Sequence, residues 1–382
     1  MNSPFKRPLL RLRTILSGFD LPLLAVVLML ASLGLVTMYS VGYDHGSRFV
    51  DHGRNMLLAA TLMFLIAQVP PHRLLSLAVP LYTVGVALLV ATALFGVTKK
   101  GATRWLNLGV VIQPSEILKL AMPLMLAWWF QKREGQLRLF DFLVAGLLLL
   151  VPVGLVVRQP DLGTALLVLS SGLYVIYFAG LSWRLIVPVT LLATLAIAAL
   201  VVSGDALCQP DVQWHGMRNY QQQRVCTLLD PSIDPLGKGF HIIQGMIAIG
   251  SGGITGKGFM SGTQTHLEFI PERTTDFIFA AFAEEFGLLA GGGLVLCFSF
   301  LILRGLWIAA HAPTLFARLL AAALSLGFFT YAFVNMGMVS GILPVVGIPL
   351  PFISYGGTAM VTLGVALGML MSIARSRGLM QR

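Results

Sequence analysis

The sequence predicts an all-α polytopic membrane protein of about ten transmembrane helices, each needing about 20 mainly apolar residues. Of 382 residues, 57% are hydrophobic and 11% charged, and the mean hydropathy is +0.84, a balance foreign to a water-soluble globule of this length. Long apolar runs cover residues 21–40, 55–70, 74–97, 114–130, 141–157, 164–181, 185–203, 276–303, 315–338 and 356–374. Helices are required because hydrocarbon offers backbone N–H and C=O groups no partner outside the segment itself.

The third observation is the placement of basic residues. With the N-terminus inside, fourteen Lys and Arg fall in the short inner segments. The short outer ones hold six, Arg48, Arg54, Lys99, Lys100, Arg104 and Arg158, so both termini are expected inside. The net charge of +10 is then a topology signal and an attraction to anionic membrane lipids. No aromatic and basic interleaving points to nucleic acid. The first run is too long for a signal peptide and Tyr39–Tyr43 lacks a small-x-small cleavage site, so this run is expected to stay as an anchor. The organisation is one membrane domain: a basic inner tail at 1–20, helices one to seven over 21–203, a large outer loop at 204–275, helices eight to ten over 276–374, and an inner tail at 375–382.

Residues 98–116 place Lys99, Lys100 and Arg104 beside Trp105 at an interface. An aromatic and basic belt explains this; a cationic clamp for a phosphorylated headgroup is the sharper reading. Pro114 suits a first helical position, and Glu116 and Lys119, at i and i+3, share a face inside an apolar span. A structural ion pair and a substrate contact are equal alternatives, and both make the face look inward. In Arg158–Thr164, Pro160 and Gly163 break the helix, and Asp161 can cap the next one or line an outer pocket.

The loop at 204–275 is too long to be a simple connection. Ile242, Ile243, Met246 and Ile247 share one helical face, predicting a helix along the bilayer surface. Residues 250–258, GSGGITGKG, lack the leading glycine and the hydroxyl of a phosphate-binding P-loop and read as a flexible hinge. Cys208 and Cys226 suit either a disulfide in an oxidising compartment or two free thiols, and Cys297 lies in a span. No His, Cys and carboxylate spacing matches a structural zinc site.

Asp276 opens the eighth span and is the strongest candidate for chemistry. An Asp at a helix start is commonly a dipole partner, but His266, Glu268, Glu272 and Arg273 crowd the same water boundary, where a carboxylate can act as a general base. The last outer segment, rich in proline and glycine from Asn335 to Gly357, implies irregular backbone around a cavity and supplies a second wall with Ser354 and Tyr355.

Five motifs in this order, GATRWLNLG with QPSEILKL, RQPDLGTAL, GITGKGFMSGTQTHLEFIPERTTDFIFAAFAEEFG and GIPLPFISYGGT, resemble the SEDS family (shape, elongation, division and sporulation), its rod-elongation branch above its division branch. The resemblance covers nearly all the chain. It implies a multi-pass protein of the bacterial inner membrane, a peptidoglycan glycosyltransferase that polymerises lipid II on the extracytoplasmic side during elongation and rod-shape maintenance. A class B penicillin-binding protein would be its transpeptidase partner. By motif position Asp276 matches the family's essential aspartate, and Glu116 and Lys119 its charged pair facing the central cavity. Arg104, Arg158, Asp161, His266, Glu272, Arg273, Ser354 and Tyr355 are the further substrate-binding candidates. Leaving-group charge would be met by Arg104, Lys99, Arg158, Lys257 or Arg273, or by a divalent cation, Mg2+ or Mn2+. A lipid-linked precursor flippase would share the apolar helices but should show repeated halves, and none are visible. A non-catalytic scaffold for the transpeptidase would have no need of Asp276.

Overall fold

The computed structural model describes residues 19–380 except 44–45, 100–101, 108, 110, 210–211, 213, 215–218, 232–237, 268 and 271. Its long helices are α1 (Leu21–Val41), α2 (Arg48–Ala67), α3 (Pro71–Phe95), α4 (Pro114–Lys132), α5 (Leu139–Arg158), α6 (Leu162–Phe178) and α7 (Trp183–Val202), then α12 (Ile278–Ala310), α13 (Leu315–Val339) and α14 (Gly357–Met380). Each matches an expected span. Seven are long and apolar enough to cross a membrane. Of the other three, α2 and α4 open with charged turns and α6 has only 17 residues.

Local chemistry sets the helix starts. Asp20, Asp161 and Thr314 accept backbone N–H groups from the first turns of α1, α6 and α13, while Pro71 and Pro114 occupy first positions where the missing N–H costs nothing. Helix α2 starts at Arg48, ahead of its apolar run, because charged residues do not end a helix that has left the lipid. Helix α12 starts at Ile278, so Asp276 precedes the helix and does not open it.

Helices α13 and α14 bury most of their length at the centre, with α12 packed on α13 and α1, and α4 contacting α3, α6 and α13. Helix α14 lies along α2 at close range: a Cβ added at Gly364 or Gly368 would meet the carbonyl oxygens of Ala59 and Met63 at 2.5 and 2.8 Å. By contrast α7, apolar all round, buries no residue.

Phe19 stacks on Phe64 at 5.6 Å, and Arg375 bonds Gln68 one turn further along α2, so both described ends of the chain lie at one end of the bundle. Arg304 grips Asp20 there with two hydrogen bonds of 3.0 and 2.8 Å. The connections expected outside gather at the opposite end. One of them holds a sheet its sequence did not suggest, and the long loop holds the expected helix around 241–249 together with three others. Residues 97–112 contain a small antiparallel sheet, β1 (Val97–Lys99), β2 (Ala102–Asn107) and β3 (Val111–Ile112), in the order β1-β2-β3. The long loop contains α8 (Gly204–Leu207), α9 (Asn219–Leu229), α10 (Lys238–Ser251) and α11 (Thr263–His266), with a Cys208–Cys226 disulfide joining α9 to the residue after α8.

The glycine-rich stretch is no flexible hinge. Helix α12 is broken at Gly287, whose φ of 75° and ψ of −173° leave the helical region. Into that break the 253–258 backbone docks with four hydrogen bonds: Lys257 and Gly258 N–H to the Glu284 and Glu285 carbonyls, and Leu288 and Leu289 N–H to the Gly253 and Ile254 carbonyls. The segment satisfies backbone groups that a broken helix would otherwise leave orphaned.

Candidate active site at the loop end of the bundle

Asp276 lies in the turns that lead into α12, half-buried. Its carbonyl accepts a hydrogen bond from the Asn335 side-chain amide at 2.9 Å. Across from its carboxylate runs the proline-rich loop. Gly347, at φ +75°, comes so close that an added Cβ would sit 3.2 Å from Asp276 Oδ2. A side chain there would press on the carboxylate, and the positive φ itself favours glycine.

The same loop is tied down at both flanks. Ser354 Oγ donates to the Thr275 carbonyl and accepts the Leu350 N–H, both at 2.7 Å, and Tyr355 N–H reaches the Thr274 carbonyl at 2.8 Å. Arg48 donates to Thr274 Oγ1 and lies 5.9 Å from the Tyr355 ring centroid. On the other flank Gly163 packs on Val346, where a Cβ would meet its carbonyl at 2.7 Å. That corner is built by Asp161, which caps α6 through the Thr164 N–H at 3.1 Å and accepts Gln113 Nε2 at 3.0 Å. Arg104 reaches it from β2, donating to the Pro160 carbonyl at 2.6 Å and lying 3.8 Å from Asp161. Thus the loop that carries Gly347 has Arg104 and Asp161 on one side and Asp276 on the other.

The charged pair lies deeper. Lys119 Nζ is 2.6 Å from Glu116 and donates to the Tyr331 hydroxyl at 3.1 Å, while Thr362 donates to the other Glu116 oxygen at 3.1 Å. Lys119, Tyr331, Thr362 and Ser171 supply the polar wall of an internal cavity of about 40 Å³ that is otherwise apolar. The pair therefore joins α4 to α13 and α14, and its Lys119 lines a cavity.

The cell cycle protein family model for FtsW, RodA and SpoVE matches residues 15–378. The chain belongs to this family. Peptidoglycan glycosyltransferase MrdB of Escherichia coli (strain K12) is 46% identical over 361 residues, covering 94% of each chain. Peptidoglycan glycosyltransferase RodA of Treponema pallidum (strain Nichols) is 33% identical, covering 94% of this chain and 98% of that one. Among solved structures, a chain from a peptidoglycan synthase complex that coordinates polymerization and crosslinking superposes with a TM-score of 0.76 at 32% identity, covering 94% of this chain and 98% of that one. The rod shape determining protein RodA of Thermus thermophilus does so at 0.67 and 28%, covering 94% and 97%.

In this member of the FtsW/RodA/SpoVE family the other sequence candidates separate. Arg273 turns inward: it is buried, its Nε donates to the Val41 carbonyl at 3.2 Å, and its guanidinium lies 5.7 Å from the Tyr43 ring centroid. His266 stacks on that same ring at 4.7 Å and bonds the Gly262 carbonyl through Nδ1. Glu272 is exposed and accepts the Thr275 hydroxyl at 2.8 Å. Arg158 is exposed at the end of α5, and Glu268 lies outside the described residues. Lys257 is committed to Glu284 at 2.6 Å, a fully buried carboxylate that also accepts from Thr263, Gln264 and Thr265. Among the described residues no three His, Cys, Asp or Glu side chains come together as a metal site. The sequence marked Asn335 only as the start of the last outer segment, and it did not single out Tyr331 or Thr362. Their signal was a hydrogen-bonding side chain inside an apolar run, which is common enough in spans to single out none of them.

Proposed function

We propose that this membrane protein is a peptidoglycan glycosyltransferase that polymerises lipid II on the extracytoplasmic side of the bacterial inner membrane, with Asp276 as general base. The observation that carries the activity is the identity to MrdB of Escherichia coli over 94% of both chains. The geometry supports the role of Asp276: a half-buried carboxylate on a turn, facing Gly347 of the proline-rich loop, where a side chain would press against it. In the reaction Asp276 takes the proton from the acceptor GlcNAc 4-hydroxyl as that oxygen attacks C1 of the donor MurNAc. The bond to undecaprenyl pyrophosphate breaks, its electron pair leaves with the pyrophosphate, and the anomeric centre inverts.

The cations expected at the leaving group are not equally placed. Arg273 and Lys257 are engaged within the fold, whereas Arg104, held from β2 at the Asp161 corner, and the exposed Arg158 stay on the outer-connection side of the helices. A divalent cation would add charge neutralisation there. A transpeptidase of the class B penicillin-binding type is the proposed partner, supported by the likeness to a chain from a synthase complex that couples polymerization to crosslinking.

Purified protein, alone and with its transpeptidase, incubated with labelled lipid II provides the test. Wild type should yield polymer, while Asp276→Ala and Asp276→Asn should lose about 10²–10⁴-fold in rate, the usual contribution of a general base. Undiminished polymer from folded Asp276→Ala removes the catalytic assignment. Movement of lipid II across sealed vesicles without polymer would favour a flippase, and transpeptidase recruitment by an inactive protein would favour a scaffold.

A further inference from the structure

Asn335 occupies the last turns of α13 and is fully buried. Its Nδ2 donates to two carbonyl oxygens, that of Asp276 at 2.9 Å and that of Ile348 at 2.8 Å. Both partners can only accept, so the amide nitrogen must face them and uses both its hydrogens. Oδ1 has no hydrogen-bond partner among the described residues. The amide is thus held by its nitrogen alone.

The two carbonyls belong to the two walls of the candidate site. One is the backbone of the acid. The other follows Gly347, the glycine that faces Asp276 Oδ2. A single rigid side chain therefore sets the spacing between the carboxylate's own backbone and the surface opposite it. The bond also accounts for where α12 begins. In a regular helix the Ala280 N–H would bond the Asp276 carbonyl, four residues back. Here it bonds Phe277 at 3.0 Å instead, and the Asp276 carbonyl turns to Asn335. Without that competing donor, the Asp276 carbonyl can accept the Ala280 N–H, and the helix can take in Asp276 and rotate its side chain. Other ties, Ser354 to Thr275 and Tyr355 to Thr274, hold the loop at neighbouring points. Removing the amide should move Asp276 without dismantling the region.

We propose that Asn335 is a positioning residue for Asp276, fixing the carboxylate against the Gly347 wall so that it meets the acceptor hydroxyl. This rests on the reading of Asp276 as the general base. The informative variant is Asn335→Asp, which keeps the shape and sets an acceptor against two carbonyls. Leu320→Ala, a fully buried α13 residue remote from these bonds, serves as the control for lost stability alone. Polymerisation of labelled lipid II is measured in the full-length protein with its transpeptidase, giving kcat, KM, the pH–rate profile and the thermal midpoint.

Asn335→Asp should lower kcat by about 10²-fold, the scale of a misplacement of about 1 Å, with little change in KM. The acidic limb of its pH–rate profile should move, and in Leu320→Ala it should stay. Added to Asp276→Ala, Asn335→Asp should cause no further loss. If Asn335→Asp does not fold, Asn335→Gln, which keeps the donor on a longer arm, should show the same displaced limb with a smaller loss. Should the folded variant keep wild-type kcat and profile, or lose activity only as Leu320→Ala does, the positioning role is overturned. That result with Asp276→Ala inactive sinks this inference alone. An active Asp276→Ala sinks both.

Discussion

Lys119 and Glu116 show what one residue's surroundings decide. The carboxylate has two partners, Lys119 at 2.6 Å and Thr362 at 3.1 Å, and Lys119 is buried. Lys119→Met would leave Glu116, enclosed between these helices, with the Thr362 hydroxyl alone. A buried charge stripped of its partner costs about 3–5 kcal/mol, so the thermal midpoint should fall sharply. The double variant Glu116→Lys, Lys119→Glu separates the two roles. Recovery of stability and polymerisation together marks a structural pair, whereas recovery of stability alone means that the cavity reads the orientation of the charge. The pair itself was legible, because i and i+3 share a helix face whatever the fold. Tyr331 and Thr362 were not, since they reach it from helices more than 200 residues downstream. Arg273 carried the opposite lesson. It stands three residues before Asp276, yet its side chain runs to Val41 and Tyr43. Nearness in sequence gave no direction.

At the scale of elements, the broken helix α12 and the 253–258 segment are one device. Gly287 is strained for any other residue by its φ of 75°, and a Cβ there would meet the Gly256 nitrogen at 2.3 Å. Gly287→Ala should therefore cost the usual penalty for such backbone, about 1–3 kcal/mol, plus the displacement of the docked segment. Less folded protein and a lower thermal midpoint are expected, and an unchanged midpoint would mean that the interlock contributes nothing. Lys257→Met tests the same joint from its side chain, since Glu284 has no exposure and Lys257 is its only cation within 4 Å among the described residues. The glycines in 250–258 announced unusual backbone but not what it approaches, because a glycine permits flexibility and close docking alike. The long spans were easier. Each needs only enough apolar residues to cross hydrocarbon, and that requirement is written locally.

For the whole molecule the remaining variable is which side of the membrane the acid faces. The polar ties of the bundle sort to two ends, with Asp20, Gln68 and Arg304 at one and Arg104, Asp161 and Asp276 at the other. The disulfide segment belongs to the Asp276 end, because α10 contacts α9 and lays His241 against Phe277 at 5.9 Å. A Cys208–Cys226 bridge persists only where the compartment is oxidising, and the excess of basic residues at the other end gives the same orientation by an independent route. Both can be read in cells carrying Cys297→Ala. Cys208 and Cys226 should resist alkylation until a reductant is added. A membrane-impermeant maleimide should label Arg54→Cys, whose native side chain is 75% exposed near the acid's end, and spare Arg133→Cys, 47% exposed at the opposite end. The reverse labelling, with thiols reactive before reduction, would set Asp276 against the cytosol. No lipid-linked sugar presented outside could then reach it, and extracytoplasmic polymerisation by this carboxylate would fall whatever the purified protein does in detergent.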